Sequence, residues 1–534
     1  MPPEDRMPIE TEDEAPPRAG RREWIGLAVI ALACVLYVMD LTVLHLALPE
    51  ISRDLAPSST QLLWIIDIYG FMVAGWLITM GTLGDRIGRR RLLMIGAAAF
   101  GVASVIAALS TTAEMLIVTR ALLGIAGATL APSTLSLIRS MFLDPGQRQK
   151  AIAIWITSFS VGAAVGPLLG GVVLEFFWWG AAFLLAVPVM AALLVLGPRL
   201  LPEYRDPSAG RIDLPSTALS LAAVLTLIFG LKQIAQDGWG SLPALSILVG
   251  LVLGGVFVRR QRRLEDPLID LALFRAPGFS AGLAAYGLGV TLSFGGFLFI
   301  PQFLQLVLGL SPLEAGIWTL PWALSFVVGS QLTPRLARRF RPASLMAAGM
   351  VIAALGFAVF TQIDESTGFG TITLGSILFS LGLAPVFMLA IDMIVEVAPP
   401  ERAGAASGIA ETAAEFGGAV GIAAFGSLGV AVYRGAISGG LPPEISAQAA
   451  ETARATLGGA LEVAGRLPER LASELVAAAR EAFIIGIHLS ALIAAIGGLG
   501  LAVLIVVMLR GPRPDVDDRP DELDPAVAAA ADPS

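Results

Sequence analysis

Charge is scarce in this 534-residue chain: charged residues make up 15% of it and hydrophobic ones 56%, with a mean hydropathy of +0.78. A water-soluble domain carries nearer a quarter charged residues, so water cannot be the main solvent. Cysteine is reduced to Cys34, inside an apolar run, which excludes an intramolecular disulfide framework and a cysteine-built metal site. The two histidines, His45 and His488, are far apart, no His-Glu-x-x-His pattern occurs, and no nucleophile has an evident base beside it, so an intramembrane enzyme is the remote reading. No Walker A sequence is present, which argues against direct ATP hydrolysis. Among the 35 basic residues only Lys150 and Lys232 are lysines, a bias that with the abundant Ala and Gly points by association to a GC-rich bacterial genome. The formal charge of −8 says less than its distribution over the loops.

What the chain has instead is apolar length. A helix crosses a bilayer with about 20 apolar residues, and runs of that order fall at 25–48, 61–83, 92–110, 115–138, 150–172, 177–198, 213–234, 242–259, 278–307, 314–334, 342–362, 370–397, 404–433 and 481–509. The pattern predicts an all-α membrane protein with fourteen transmembrane helices. The first run exceeds a signal-peptide h-region, carries Asp40 and His45, and lacks a small-residue cleavage site before Pro49, so it is expected to remain as the first helix. Arginine orients the set. With the N-terminus inside, 27 of the 35 basic residues fall in inside loops and tails, 7 outside, and one, Arg120, within a span. This positive-inside bias puts both termini in the cytoplasm.

The tails over 1–23 and 511–534 are Pro-rich and acidic and are expected to be disordered. The one long outside segment, 435–480, sets Glu444, Glu451, Glu462, Glu469 and Glu474 among alanines with Arg454, Arg466 and Arg470. It predicts one or two short solvated helices broken near Gly458–Gly459 and Pro468, serving as a linker or as an external lid or partner-contact hairpin.

Glycine is plentiful, with 58 residues, much of it inside the runs. In the fifth run Gly162, Gly166 and Gly170 recur every four residues and Gly171 follows, giving one smooth face, while Pro167 removes a backbone donor and favours a bend. Such a helix suits either tight packing or sliding against a neighbour. Between the second and third runs, Gly81-Thr-Leu-Gly84-Asp85-Arg86-Ile-Gly88-Arg89-Arg90-Arg91 forms a tight basic turn. Asp85 there can pair with a basic residue or a helix N-terminus, and the arginines with carboxylates or lipid phosphates.

This turn resembles the loop signature of the major facilitator superfamily, and 162–171 resembles the antiporter motif of its drug/proton exporters. Met39-Asp40-Leu-Thr42-Val-Leu-His45-Leu-Ala47-Leu48-Pro49 is similar to the first-helix signature of the fourteen-helix drug/proton antiporter family, which includes quaternary-ammonium exporters, except that His45 stands where many relatives carry Asn. Arg120-Ala-Leu-Leu-Gly124-Ile-Ala-Gly127 resembles the fourth-helix motif linked in that superfamily to proton coupling. The likeness runs from about 24 to 510. It implies a major facilitator fold of two six-helix bundles, over 24–200 and 266–510, with two inserted helices over 201–265. It further implies a monomer in a bacterial cytoplasmic membrane, in contact with membrane lipids, that exchanges lipophilic cationic small molecules for protons without cofactor, metal or nucleic acid.

Charge inside a span is costly and marks a pathway or a structural pair. Glu411 and Glu415, in the thirteenth run, are four residues apart and so share a helix face at about 6 Å. Carboxylates that close in a low-dielectric site repel unless one carries a proton. An organic cation would favour the ionised form, so proton and cation compete for one carboxylate, which is an exchanger. The thirteenth run also resembles the acidic helix of quaternary-ammonium exporters. Asp40, in the outer half of the first run, either pairs near the external end or binds proton or substrate. Asp67, flanked by Trp64 and Tyr69, either meets a planar cation among aromatic rings or marks an interfacial anchor. Arg120 is expected to pair with a carboxylate or carbonyls and, by the resemblance, to take part in coupling. His45 is either pH-sensitive or a packing histidine, and Asp392 reads as structural at the cytoplasmic gate.

The leading expectation is therefore a proton-coupled multidrug exporter working by alternating access, driven by protons and a membrane potential worth about 2.3 kcal/mol per charge at 100 mV. The same fold exporting a lipid or metabolite is the second reading, and a non-transporting sensor or scaffold built around 435–480 is the third.

Overall fold

The computed structural model describes residues 17–55, 57, 59–205, 213–264, 267–310, 312–365, 368–399, 402–442 and 444–509. Most of both expected tails, 1–16 and 511–534, lies outside the described residues, as do the side chains of His45, Asp67 and Pro167.

Among the described residues there is no strand, and the chain runs as long helical rods. They are α1 (Arg21–Leu55), α2 (Ser59–Ile87), α3 (Arg89–Ala108), α4 (Ala113–Met141, interrupted at Ala128–Thr129), α5 (Pro145–Phe176), α6 (Ala181–Leu200), α7 (Leu214–Asp237) and α8 (Ser241–Gln261). Then come α9 (Pro277–Val307, widening to a π turn over Phe303–Val307), α10 (Pro312–Leu336), α11 (Pro342–Phe360), α12 (Phe369–Val397) and α13 (Ala403–Ile437). Two short helices, α14 (Ala447–Ala455) and α15 (Leu457–Ala464), precede the last rod, α16 (Glu469–Met508). Every apolar run of the sequence falls on one of these rods. Among the described residues, eleven helical stretches are long and apolar enough by themselves to cross a membrane.

Hydrogen bonds tie several of the arginine-rich connections to one another and to neighbouring rods at one end of the bundle. Glu203, after α6, accepts from the Arg90 and Arg91 amides at the start of α3 (3.1 Å each). Thr82 of α2 donates to the Leu268 carbonyl between α8 and α9 (3.0 Å), and the Ala19 amide donates to Gln147 of α5 (2.7 Å).

The α7–α8 hairpin lies over the seam between the halves. Ile228 of α7 packs with Phe71 and Ala74 of α2, and Phe416 and Ala419 of α13 close on the same cluster. Arg260 holds Asp213 at the hairpin's base through two bonds of 2.7 and 2.9 Å, and Gln261 donates to Ser216 (2.7 Å). The outward side of α8 exposes Leu245, Leu248, Val252 and Val256, an apolar surface suited to lipid chains.

The segment 435–480 forms the two short helices expected, with breaks close to the expected places, at Thr456 and Pro468. The break between its helices is at Thr456, whose extended backbone and hydroxyl cap α15 by accepting from the Gly459 amide (3.0 Å), so Gly458 and Gly459 sit inside the first turn of α15. The segment is not simply solvated: Leu457, Ala460 and Val463 are buried, and Tyr433 of α13 donates to the Ala453 carbonyl (2.9 Å). The last rod begins at Glu469, well before the apolar run at 481, because its charged first turns already pack through Leu475 and Ala479.

Candidate functional site

At the arginine-rich end the halves are latched together. Asp85, at the end of α2, accepts the Gly404 and Ala405 amides at the N-terminus of α13 (3.0 and 2.9 Å) and the Arg89 guanidinium (3.0 Å). It thus makes both of the contacts expected of it. A helix N-terminus presents unpaired amides and a partial positive charge, which suits a buried carboxylate. Glycine makes the approach possible: a Cβ on Gly81 would sit 2.3 Å from the Gly404 carbonyl oxygen, and one on Gly408 would sit 2.7 Å from that of Leu77. Gly84 packs on Leu92, Arg86 is half-buried nearby, and Gly88 takes a φ of 107° that turns the chain into α3. A second clasp joins α5 to α12, where Asp392 accepts from Arg148 (3.4 Å) and Gln149 (3.1 Å). Arg139 of α4 donates to the Val395 and Ala398 carbonyls, and Thr157 of α5 bonds Ser330 of α10 at 2.9 Å.

The glycine face of α5 lies on α1. A Cβ on Gly162 would meet the Val35 carbonyl oxygen at 2.4 Å and one on Gly170 would meet the Val43 side chain at 2.9 Å, while Gly166 is buried and Gly171 faces open space.

Glu411 and Glu415 stand at the middle of the seam. Glu411 is buried, and its Oε1 has no hydrogen-bond partner. Glu415, one turn on, is half-buried. Tyr37 of α1 and Tyr286 of α9 lie within electrostatic reach of both carboxylates, Tyr69 of α2 within reach of Glu415, and Cys34 within reach of Glu411. The pair therefore faces both halves of the molecule.

Arg120 is fully buried and paired with Asp40, and its Nε donates to the Ile65 carbonyl (3.2 Å). Its guanidinium lies 4.8 Å above the Tyr69 ring and 5.9 Å from Phe183. Of the alternatives open for Asp40, the structure places it in an ion pair. Trp64 and Tyr69, which flank Asp67, point in different directions. Five residues turn the two rings about 140° apart on a helix, so Tyr69 is enclosed beneath Arg120 and donates to the Tyr37 carbonyl (3.2 Å), whereas Trp64 is exposed.

Sequence reasoning took Arg120 as the one basic residue within a span and missed Lys232. Lys232 lies in α7, its Nζ 4.6 Å from the Phe71 ring centroid and its charge within reach of Glu415. The signal was present, since residue 232 falls inside the seventh apolar run.

The family profile of the Major Facilitator Superfamily matches residues 30–422. The chain belongs to that superfamily. As a major facilitator protein it is a multi-pass membrane protein and a secondary transporter, not an enzyme. It is 44% identical to the multidrug efflux pump LfrA of Mycolicibacterium smegmatis, over 92% of this chain and 97% of that protein. It is 37% identical to the methyl viologen resistance protein SmvA of Salmonella typhimurium, over 87% and 93% of the two chains. The crystal structure of the human organic anion transporter MFSD10 covers 91% of this chain and 99% of its own, with a TM-score of 0.58 at 17% identity, a likeness of fold alone.

Proposed function

We propose that this major facilitator protein is a proton-coupled exporter of lipophilic cations. It works by alternating access, with fourteen transmembrane helices in a bacterial cytoplasmic membrane and with its arginine-rich end and both termini in the cytoplasm. The observation that carries this reading is the buried Glu411 oxygen without a hydrogen-bond partner, one helical turn from Glu415, between the two halves. A buried acceptor left unpaired is costly, and either a proton or a cation removes the cost. Both cannot occupy one carboxylate, so loading one expels the other. The relatives named for multidrug efflux and methyl viologen resistance support cargo of this kind, methyl viologen being an organic dication.

Glu411 and Glu415 take cargo and proton in turn, with Asp67 and Trp64 towards the outer mouth. The Asp40–Arg120 pair is the second coupling element, since protonating Asp40 would release a buried guanidinium. The latch at Asp85 and the clasp at Asp392 close the cytoplasmic side, the glycines of α2 and α13 let the halves rock, and the glycine face of α5 lets it slide on α1.

The test is uptake of tetraphenylphosphonium by inverted proteoliposomes under an imposed pH gradient, with the parent, Glu411→Gln, Glu415→Gln and the double variant. Gradient-driven uptake in the parent and loss of at least tenfold in the double variant are expected. Full activity of the double variant overturns the exchange mechanism, and transport of neutral compounds alone overturns the cationic cargo.

A further inference from the structure

A lysine in a helix that crosses a membrane needs a reason, because an ammonium in hydrocarbon costs several kcal/mol. Lys232 sits on α7, outside the two bundles, yet its amine is turned inward onto Phe71 of α2. One turn earlier, Ile228 is wedged into the cluster formed by Phe71, Ala74, Phe416 and Ala419, so α7 touches α2 and α13 at the level of the acidic pair. Ser427 of α13 reaches the Ile234 carbonyl of α7 (3.4 Å), fixing that register from the other side. Glu415 adjoins Phe416, and Lys232 is the opposite charge acting on it. The ring face of Phe71 thus offers the amine a cation–π seat beside a carboxylate.

We propose that Lys232 is a tethered competitor of the cargo: seated on Phe71, its ammonium offsets the charge of Glu415 while the cavity is empty, and a cationic substrate competes with it for that charge. This assigns the inserted hairpin a part in substrate selection. With Lys232 present, an ionised Glu411–Glu415 pair has a net charge of −1, which suits a monocation; without it the site carries −2 and favours dications. An empty carrier also keeps its acidic site partly neutral, so it need not hold two bare carboxylates in a low dielectric.

The proposal rests on the cationic-cargo reading above, and its test separates the two. Equilibrium binding of tetraphenylphosphonium and of methyl viologen is measured on the purified full chain in nanodiscs at one pH, with the parent, Lys232→Met, Lys232→Gln, Lys232→Arg and Lys232→Met/Glu415→Gln. Both neutral variants are expected to bind tetraphenylphosphonium about tenfold tighter, the scale of one partly screened charge contact, and to gain more for the doubly charged methyl viologen. Lys232→Arg should bind like the parent, and the gain should vanish in the double variant. A merely structural role for Lys232 would weaken binding or leave it unchanged. Unchanged or weaker binding in both neutral variants, or a gain that survives Glu415→Gln, overturns the proposal while leaving the exporter reading intact. A parent that binds neither cation overturns the cationic reading and the role of Lys232 with it.

Discussion

Replacing Asp85 with Asn tests whether the latch sets the balance between open and closed forms. Asp85 is 5% exposed and Arg89 1%, so both partners are almost wholly withdrawn from solvent. The carboxylate accepts two amides and one guanidinium within 3.0 Å. Asn has one acceptor oxygen and no charge, so the variant loses an amide bond and the carboxylate charge facing Arg89. Breaking a buried pair from one side costs about 3–5 kcal/mol. Arg89 keeps two weaker bonds, to the Ser136 carbonyl and the Ser140 hydroxyl at 3.4 Å each, which puts the loss near the lower value. A change of about 3 kcal/mol shifts a two-state equilibrium by roughly two orders of magnitude. The single native cysteine is buried, so a Cys34→Ser background permits spin labels at Arg91→Cys and Arg339→Cys, one on each half. Pulsed electron resonance should then give a new, longer distance across the arginine-rich end in the Asn variant. An unchanged distribution would refute the idea that Asp85 holds the halves together.

Closure also depends on glycine: Gly81→Leu puts a side chain where even a Cβ lies 2.3 Å from the Gly404 carbonyl, and the same labels should show the closed population reduced. Arg120→Leu leaves the Asp40 carboxylate without its partner and should cost about 3–5 kcal/mol, read as lower thermal stability in detergent, with Asp40→Asn in the same chain recovering most of it. Tyr433→Phe removes the bond to the Ala453 carbonyl, worth about 1 kcal/mol, and should raise hydrogen exchange across α14 and α15 while leaving α13 protected.

The positions of the rods were legible because a membrane helix must satisfy its own backbone bonds, so each crossing is written locally as apolar length. The glycine face of α5 and the turn around Asp85 were legible for a related reason, since close approach and tight turning need small residues at definite spacings. Rod ends were less so. α16 starts with Glu469 and Arg470, whose charges hide a helix that continues into the apolar run. The separate surroundings of Trp64 and Tyr69 were not legible either, because the turn of the helix sends near neighbours in sequence to different faces.

By itself, then, the sequence determined the all-α membrane class, the order of the rods and the few ionisable residues worth attention, all of which follow from local polarity. Only the tertiary structure decided their partners. Asp40 meets Arg120 across 80 positions, Asp85 meets Gly404 across 319, and Lys232 reaches Phe71 from another helix, within electrostatic reach of Glu415. An isolated charge in an apolar run says only that something must compensate it; which group does so depends on how distant helices pack, and no local pattern encodes that.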